Sequence, residues 1–231
     1  MKTKRYAVPF RHMLNMDLNQ RIVIETSKAE WLPSPSGSVF RIPLERAAAE
    51  TGHATSLVRY ERGASFQSHS HPMGEEIFVI EGVFSDETGD YPAGTYIRNP
   101  PGSIHSPFSK DGCILFVKLN QFHPEDLTRV IININDPEGW RPGHGGLRVF
   151  PLHSFLTEGT ALVWWPAGEK FLPHRHYGGE EIFVLSGEFQ DELGQYPKGT
   201  WLRSPHLSIH HPFVTEETLI LVKTGHLNKD S

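Results

Sequence analysis

The sequence has little of what several classes of protein require. Its 231 residues contain a single cysteine, Cys113, so an internal disulfide is excluded. No apolar run approaches the ~20 residues that a membrane-spanning helix needs. The basic N-terminal segment also lacks the apolar core of a secretory signal. We therefore expect a cytoplasmic protein with no membrane partner.

The chain also lacks an excess of positive charge. Lysine and arginine number 22 against 27 acidic residues, which gives a formal net charge of −5, and there is no long basic run. Nucleic acids are bound through clustered basic side chains, so we expect no nucleic-acid partner. Hydrophobic residues make up 38% of the chain and charged residues 21%, an ordinary globular composition. With nucleic acid and membrane excluded, we expect the partner to be a small-molecule substrate or ligand.

Histidine, by contrast, is abundant, with 14 copies. Six of the histidines and two glutamates form two sets of four, and each member of the second set follows its counterpart by 105 residues, as in 174 − 69. Identical spacing at four positions indicates a duplicated unit, because drift rarely preserves such spacing. The two sets are His69, His71, Glu75 and His105, and His174, His176, Glu180 and His210.

The duplication extends beyond these residues and defines two domains. Residues 75–100, EEIFVIEGVFSDETGDYPAGTYIRNP, match residues 180–205, EEIFVLSGEFQDELGQYPKGTWLRSP. Short runs rich in Val, Ile, Phe, Thr, Trp and Tyr alternate with clusters of Gly, Pro, Asp and Asn, which predicts an all-β jelly roll or barrel. We expect an N-terminal extension over residues 1–20, a first domain over 21–122 and a second domain over 123–231.

Two strand-length segments are apolar on both faces. Residues 77–80 (IFVI) and 182–185 (IFVL) show no alternation with polar residues. A strand of this kind is normally covered on both sides. One face would line its own barrel, and the other would meet either the second domain or a second subunit. The two alternatives are therefore contact with the second domain and a homo-oligomer.

The first set has the chemistry of a metal site. Residues i and i+2 of a strand point the same way, so His69 and His71 share a face, and a bend after Pro72 would bring Glu75 and then His105 to them. Imidazole suits Zn, Fe, Ni and Cu, and a carboxylate adds suitability for Mn and Fe. The alternative is a pair of histidines that merely packs or faces water. Because spacing, carboxylate, third histidine and duplication agree, we predict one divalent transition metal (Fe, Zn, Mn or Ni) in each domain.

These residues resemble the two motifs of the cupin family, in both copies. The first motif, G(X)5HXH(X)3–4E(X)6G, is matched by residues 63–82 and again by residues 168–187. The second, G(X)5PXG(X)2H(X)3N, is matched less fully, since Ser109 and Val214 replace the asparagine and Leu207 replaces a glycine. Its matching residues are Gly94, Pro100, Gly102 and His105 in the first copy, and Gly199, Pro205 and His210 in the second. The resemblance implies a bicupin, with two tandem jelly-roll β-barrels.

A longer segment narrows the resemblance. Residues 85–108, SDETGDYPAGTYIRNPPGSIHSPF, resemble the cupin-like domain of the ChrR-type zinc-binding anti-sigma factors. They also resemble an acetylacetone-cleaving dioxygenase in which three histidines hold Fe(II). The chain shows no counterpart of the His/Cys zinc cluster with which ChrR-type proteins bind a sigma factor, because its one cysteine is Cys113. Binding of a sigma factor is therefore not implied.

Two functions remain open. The first is an Fe(II)-type mononuclear oxygenase that acts on a small enolisable or diketone-like compound, with the ion as Lewis acid and template. The second is a zinc-binding module that senses a ligand or an oxidant, related to the ChrR cupin-like domain. Iron content with oxygen uptake would favour the first, and tightly held zinc without turnover would favour the second.

Three pairs of equivalent residues are candidates for a substrate pocket. Gln67 and Leu172 precede the first ligand of each set by two residues, hence lie on the ligand face, and would make one pocket more polar than the other. The paired arginines could anchor an anionic substrate, or could instead bind structural carboxylates such as Asp86 and Asp191. The six candidates are Gln67, Tyr96, Arg98, Leu172, Trp201 and Arg203.

Overall fold

The computed structural model describes residues 13–48 and 51–227, and within these ranges the chain is built almost entirely of β-strands. Residues 1–12, the larger part of the predicted N-terminal extension, lie outside the described residues. The prediction of an all-β protein is confirmed. Two three-residue 3-10 helices, Thr26–Lys28 and Pro137–Gly139, interrupt the strands. No helix in the described ranges is long and apolar enough to cross a membrane.

The strands are short and follow one another in two similar series. In chain order they are β1 (Ile22–Glu25), β2 (Leu32–Pro33), β3 (Val39–Arg46), β4 (Ala54–Tyr60), β5 (Ala64–Ser65), β6 (His69–His71), β7 (Glu75–Asp86), β8 (Gly89–Pro92), β9 (Thr95–Asn99), β10 (Ser103–His105), β11 (Phe108–Ser109), β12 (Cys113–Leu119), β13 (Val130–Asn133), β14 (Arg141–Pro142), β15 (Arg148–Phe155), β16 (Glu158–Trp165), β17 (His174–Arg175), β18 (Glu180–Ser186), β19 (Glu188–Asp191), β20 (Gly194–Pro197), β21 (Thr200–Ser204), β22 (Ile209–His210) and β23 (Thr218–Thr224).

Each repeat combines one large antiparallel sheet with a short two-stranded ribbon. The main path of the first sheet is β13-β9-β7-β12-β4-β3-β2, and that of the second is β1-β21-β18-β23-β16-β15-β14. The ribbons are β6 with β10 in the first repeat and β17 with β22 in the second. Five of the six histidines lie on these ribbons, and His176 directly follows β17, so the ribbons hold the candidate sites.

The two sheets exchange their edge strands. β1 lies at the start of the first repeat, yet it pairs with β21 of the second sheet, with Ile22 opposite Arg203. β13 lies near the start of the second repeat and pairs with β9 of the first sheet, with Val130 opposite Arg98. These hydrogen bonds cross the predicted domain boundary between residues 122 and 123 in both directions. Each sheet is therefore completed by a strand from the start of the other repeat.

A shared apolar layer lies between the sheets. Phe78 of β7 and Phe183 of β18 point into it, whereas their neighbours Ile77 and Ile182 point into the separate barrel cores. Within the layer the rings of Phe116 and Phe183 stack with centroids 5.2 Å apart. The second domain is thus what covers the outer face of the doubly apolar strands. The homo-oligomer, which was the alternative cover for this face, stays a prediction.

Two reciprocal ion pairs are buried in the same layer. The Lys118 ammonium of the first repeat lies 2.5 Å from the Glu181 carboxylate of the second. Lys223 of the second lies 2.8 Å from Glu76 of the first. Burial alone would raise the pKa of Glu76, but the Lys223 and Arg98 cations outweigh it and lower the pKa to about 2. Removing one partner of such a pair would leave an uncompensated buried charge, so the pairs fix how the sheets dock.

The buried Glu76–Lys223 pair should make the fold sensitive to acid. A carboxyl group whose pKa is 4.5 unfolded and about 2 folded stabilises the protein above pH 4.5, and that contribution is lost as the pH falls toward 2. We expect the free energy of unfolding to fall across this window, by up to about 3 kcal/mol from this group. The double variant Glu76→Gln/Lys223→Met should show a shallower decline in urea unfolding followed by tryptophan fluorescence.

A matched control is the exposed pair Arg62–Asp111, whose charged atoms are 3.2 Å apart and solvated. The variant Arg62→Met/Asp111→Asn should keep the acid limb of the wild type, because exposed pairs contribute little. Acid limbs that coincide for the wild type and the Glu76/Lys223 double variant would contradict the prediction.

Candidate metal centres

Backbone pairing assembles the first histidine cluster. In the ribbon of β6 and β10, His69 lies opposite His105, and Ser103 lies opposite His71. One ring nitrogen from each histidine falls within 4.8 Å of the others. The Nε2 atoms of His71 and His105 are 3.0 Å apart. Three imidazoles thus converge on one point, as the sequence predicts.

Glu75, the predicted fourth ligand, lies at the edge of this cluster. Its Oε2 is 3.4 Å from His71 Nε2 and 3.3 Å from His105 Nε2. It does not belong to the group, formed by the three histidines, whose ligand atoms all lie within 4.8 Å of one another. Asn99 Nδ2 donates a hydrogen bond to the same oxygen at 3.1 Å. The carboxylate is therefore close enough to serve as a ligand and is also held from outside the cluster.

The second cluster is more compact. His174 lies opposite His210 in the ribbon of β17 and β22. All four predicted residues offer ligand atoms within 4.8 Å of one another, Glu180 included. Glu180 Oε2 is 3.5 Å from His176 Nε2 and 3.6 Å from His210 Nε2. The duplicated sequence thus yields two related but unequal sites.

Hydrogen bonds to the backbone orient the first histidine of each set. His69 Nδ1 is 2.9 Å from the carbonyl oxygen of Gln67, and His174 Nδ1 is 2.9 Å from that of Leu172. A carbonyl oxygen only accepts, so Nδ1 carries the hydrogen and the Nε2 lone pair is left for a metal. Burial, together with the neighbouring imidazoles, lowers the pKa of His71 to about 3. That ring is neutral, as a metal ligand must be.

Buried polar atoms without partners indicate that a cation fits these clusters. Among the described residues, His176 Nε2 and His210 Nε2 are buried and have no hydrogen-bond partner. Burial also raises the pKa of Glu75 and of Glu180 to about 7, since their carboxylates lose hydration. A divalent ion would satisfy the nitrogen lone pairs and favour the ionised carboxylates. Three imidazoles with one carboxylate are compatible with Fe, Zn, Mn or Ni.

Aspartates that the sequence analysis did not assign to the metal centre stand behind the third histidine of each cluster. Asp86 Oδ2 is 3.5 Å from His105 Nδ1, and Asp191 Oδ2 is 3.5 Å from His210 Nδ1. Carboxylates in this position orient a ligand histidine and raise its basicity. Their recurrence at the offset of 105 residues was the available signal, since 191 − 86 equals the offset of the ligands.

The exchanged segment reaches the second of these aspartates. Arg21, next to β1, places its Nη2 at 3.3 Å from Asp191 Oδ2 and donates to the Tyr196 hydroxyl at 2.6 Å. Tyr196 in turn donates to Asp191 Oδ1 at 2.6 Å. A chain of contacts therefore runs from the start of the first repeat to His210 of the second site. In the first site Arg129, which resembles Arg21 in sequence, donates instead to Thr88 at 2.9 Å.

A large cavity of about 1150 Å³ opens onto the first cluster. His69, His71 and Glu75 form part of its lining, and so does Gln67, the candidate that precedes His69. The counterpart of Gln67, Leu172, is 67% exposed beside the second cluster. A solute could thus reach the ligands of the first site through this cavity.

The other four pocket candidates lie in the layer between the sheets. Because strand residues alternate, Glu75 faces the cavity and Glu76 faces the layer. The four candidates contact residues that face the layer. Tyr96, for example, is fully buried and donates to Glu76 at 3.0 Å. The contacts of the remaining three are Trp201 with Glu181 at 2.8 Å, Arg98 with Asp126 at 2.5 Å, and Arg203 with Glu45.

These contacts give the two arginines structural partners. The carboxylates that they meet are Asp126, Glu76 and Glu45, and not Asp86 or Asp191 as the sequence suggested. Neither Arg98 nor Tyr96 belongs to the described lining of the cavity. Both arginines lie across a sheet from the histidines, where they help to dock the two repeats.

Comparison with known proteins identifies the same fold. A family model described as the ChrR cupin-like domain matches residues 19–123 and 128–228. A comparison with curated protein sequences gave no significant match.

Several solved structures of low sequence identity share this fold. A Nostoc punctiforme protein, whose name proposes a dioxygenase, is 16% identical with a TM-score of 0.74, over 92% of this chain and 85% of its own. Ylba from E. coli is 14% identical with a TM-score of 0.70, over 93% and 94%. A mutant of Bacillus subtilis oxalate decarboxylase is 15% identical with a TM-score of 0.62, over 90% and 78%. The predicted bicupin fold is thereby confirmed.

Each of the two clusters should bind one ion. Protein stripped of metal and reloaded should hold two divalent ions per chain, measured by elemental analysis. His71→Ala and His176→Ala should each lower the number to one, because each removes a buried ligand from one cluster. His123→Ala, outside both clusters, should leave it at two. Two ions retained in either cluster variant would contradict the assignment of the sites.

The contact of Arg21 with Asp191 should also affect ion binding. Arg21→Met should weaken ion binding at the second site by up to about tenfold, because Arg21 holds Asp191, the outer partner of His210, and loss of such a partner typically costs about tenfold or more in metal affinity. The measurement is a competition titration with a chelator in the His71→Ala background, which isolates the second site. Arg129→Met is the matched control and should leave that affinity unchanged. Equal affinities in the two variants would show that the Arg21–Asp191 contact does not support His210.

Proposed function

Because the chain belongs to the ChrR cupin-like domain family, we propose that it is a mononuclear metal-dependent oxygenase that acts on a small enolisable or diketone-like substrate. Iron(II) is the proposed ion. The observation that carries the proposal is the cavity of about 1150 Å³ that opens onto the first histidine cluster. A closed structural zinc site needs no such access, whereas catalysis requires that a substrate reach the ion.

The ligands of the first site would be His69, His71 and His105, with Glu75 beside them. When bound, the ion would supply Lewis-acid polarisation and a template for the reacting oxygens. Three imidazoles leave positions of a six-coordinate ion for substrate. The neutral state of His71, whose pKa burial lowers to about 3, keeps its nitrogen available at ordinary pH.

Glu75 is suited to move a proton. Without an ion, burial raises its pKa to about 7, partly offset by the hydrogen bond from Asn99. A bound cation would favour the ionised carboxylate, which is the form that accepts a proton. Glu75 would then accept the C–H proton of an enolisable substrate, while Asn99 keeps Oε2 in place.

The walls of the cavity would exclude water from the reaction. Ile77, Leu115 and Val117 lie in the barrel core and also line the cavity. An apolar wall favours a compound with a hydrocarbon skeleton and few polar groups. The name of the Nostoc punctiforme relative, which proposes a dioxygenase, is in keeping with this chemistry.

A second candidate function is a zinc-binding module that senses a ligand or an oxidant. The compact second cluster favours it, because three histidines and Glu180 all offer atoms within 4.8 Å of one another. Four protein ligands around one ion are typical of a structural zinc site. We assign this character to the second site alone, and turnover to the first.

The test is oxygen uptake by protein purified and loaded with iron(II) under nitrogen. Acetylacetone and related β-diketones should give uptake in the wild type. His71→Ala should abolish the uptake, whereas His176→Ala should keep most of it if its fold is intact, because the second site is accessory. Iron-loaded protein that consumes no oxygen with any of the diketones, together with tightly bound zinc, would favour the sensor instead.

A further inference from the structure

One arginine lies on the inner wall of the first barrel. Alternate residues of β3 face opposite ways: Ile42 and Leu44 belong to the layer between the sheets, whereas Val39 belongs to the barrel core. Arg41, two residues from Val39, therefore faces the barrel interior. It is opposite Val58 in the β3–β4 pairing and lines the cavity. Among the described lining residues it is the only arginine or lysine.

The second barrel shows that the fold does not need a cation at this position. The pair equivalent to Arg41 and Val58 is Val149 and Val163, which face each other in the β15–β16 pairing. Valine leaves the wall apolar at this position, whereas Arg41 adds a positive charge to the lining of the cavity. The charge at Arg41 is thus a specific property of the repeat that has the described large cavity.

Arg41 also stands at a useful distance from the histidine cluster. Strand pairing connects Arg41 through Val58 and Leu115 to Val79 of β7. Those three steps between neighbouring strands span about 14 Å, and Glu75 precedes Val79 by four residues on the same strand face, a further ~13 Å along the strand, so the two backbones are at most roughly 19 Å apart. The extended side chains of Arg41 and Glu75 cover about half of that distance, and both residues line the same cavity. A small molecule that touches the cluster with one end can therefore meet the guanidinium with the other.

The lining between the two groups is partly polar. Tyr60 belongs to the barrel core and lines the cavity. Arg41, Tyr60 and Glu75 all line this one cavity, so the phenol is a third polar group in the compartment. In the second barrel the equivalent of Tyr60 is Trp165, which has no hydroxyl.

From this arrangement we propose that the first barrel binds an anionic substrate, namely a β-dicarbonyl compound whose remote carboxylate is held by Arg41. The inference rests on the proposed function and narrows its substrate class from neutral diketones to keto acids. A guanidinium binds a carboxylate through two parallel N–H···O bonds, which fixes orientation as well as charge. The carboxylate at Arg41 would direct the dicarbonyl end toward the histidines and Glu75.

The test compares two ligands that differ only in charge. 4,6-Dioxoheptanoate carries a β-diketone and a carboxylate tail, and its methyl ester has the same skeleton without the charge. Isothermal titration calorimetry with zinc-loaded protein measures their affinities in the absence of turnover. The wild type should bind the acid about tenfold or more tightly than the ester, as expected for a charge-assisted hydrogen bond. Arg41→Met should remove the preference by weakening the acid alone.

Two further variants test whether the preference depends on the guanidinium of Arg41 itself. Arg41→Lys keeps the charge without the planar fork and should retain part of the preference. Arg59→Met is the matched control, because Arg59 lies on the opposite face of β4 and stacks on Trp31 and Phe40 at 4.7 and 5.0 Å. Circular dichroism and metal content verify that each variant is folded and loaded.

The outcome separates this inference from the proposed oxygenase. An acid preference that disappears with Arg41→Met supports the anion site even if iron-loaded protein consumes no oxygen. Equal affinity of the wild type for acid and ester overturns the inference, as does a preference that survives Arg41→Met. Oxygen uptake with neutral diketones would stand unaffected in either of those cases.

Discussion

Strand alternation at two adjacent glutamates organises the whole molecule. In β7, Glu75 faces the first histidine cluster, and Glu76 faces the layer between the sheets, where it pairs with Lys223. In β18, Glu180 and Glu181 repeat the arrangement. A shift of one residue in either strand would exchange the two roles and place an unpaired charge in each environment. The candidate metal centres and the docking of the repeats therefore depend on the same register.

The exchanged edge strands link the metal centres to the fold of the other half. Because β1 pairs with β21, Arg21 lies against Asp191, which stands behind His210. The second centre is thus supported by a residue at the start of the first repeat. The reciprocal Lys–Glu pairs also link the two halves, since each joins a residue of one repeat to a residue of the other. Separate folding of either repeat would leave these groups buried or exposed without partners.

The parts of the site that follow a local rule could be predicted from the sequence. Period-two alternation predicts that His69 and His71 share a face, and duplication transfers that prediction to the second set. The exchange of β1 and β13 could not be predicted, because nothing in a strand's own residues states which sheet it will join. The partners of Arg98 and Arg203 could not be predicted for the same reason, because Asp126 and Glu45 reach these arginines only through the packing of distant segments.

The two centres differ in their walls more than in their ligands. Arg41 and Tyr60 face the first cavity, where the second barrel has Val149 and Trp165. A substrate site is defined by such a wall, whereas a structural ion needs only its ligands. At the second centre an empty cluster would leave buried nitrogens unsatisfied, at a cost of about 1–3 kcal/mol each. An ion there would stabilise the barrel that completes the layer under the first cavity, so the second centre would support the fold around the proposed substrate site.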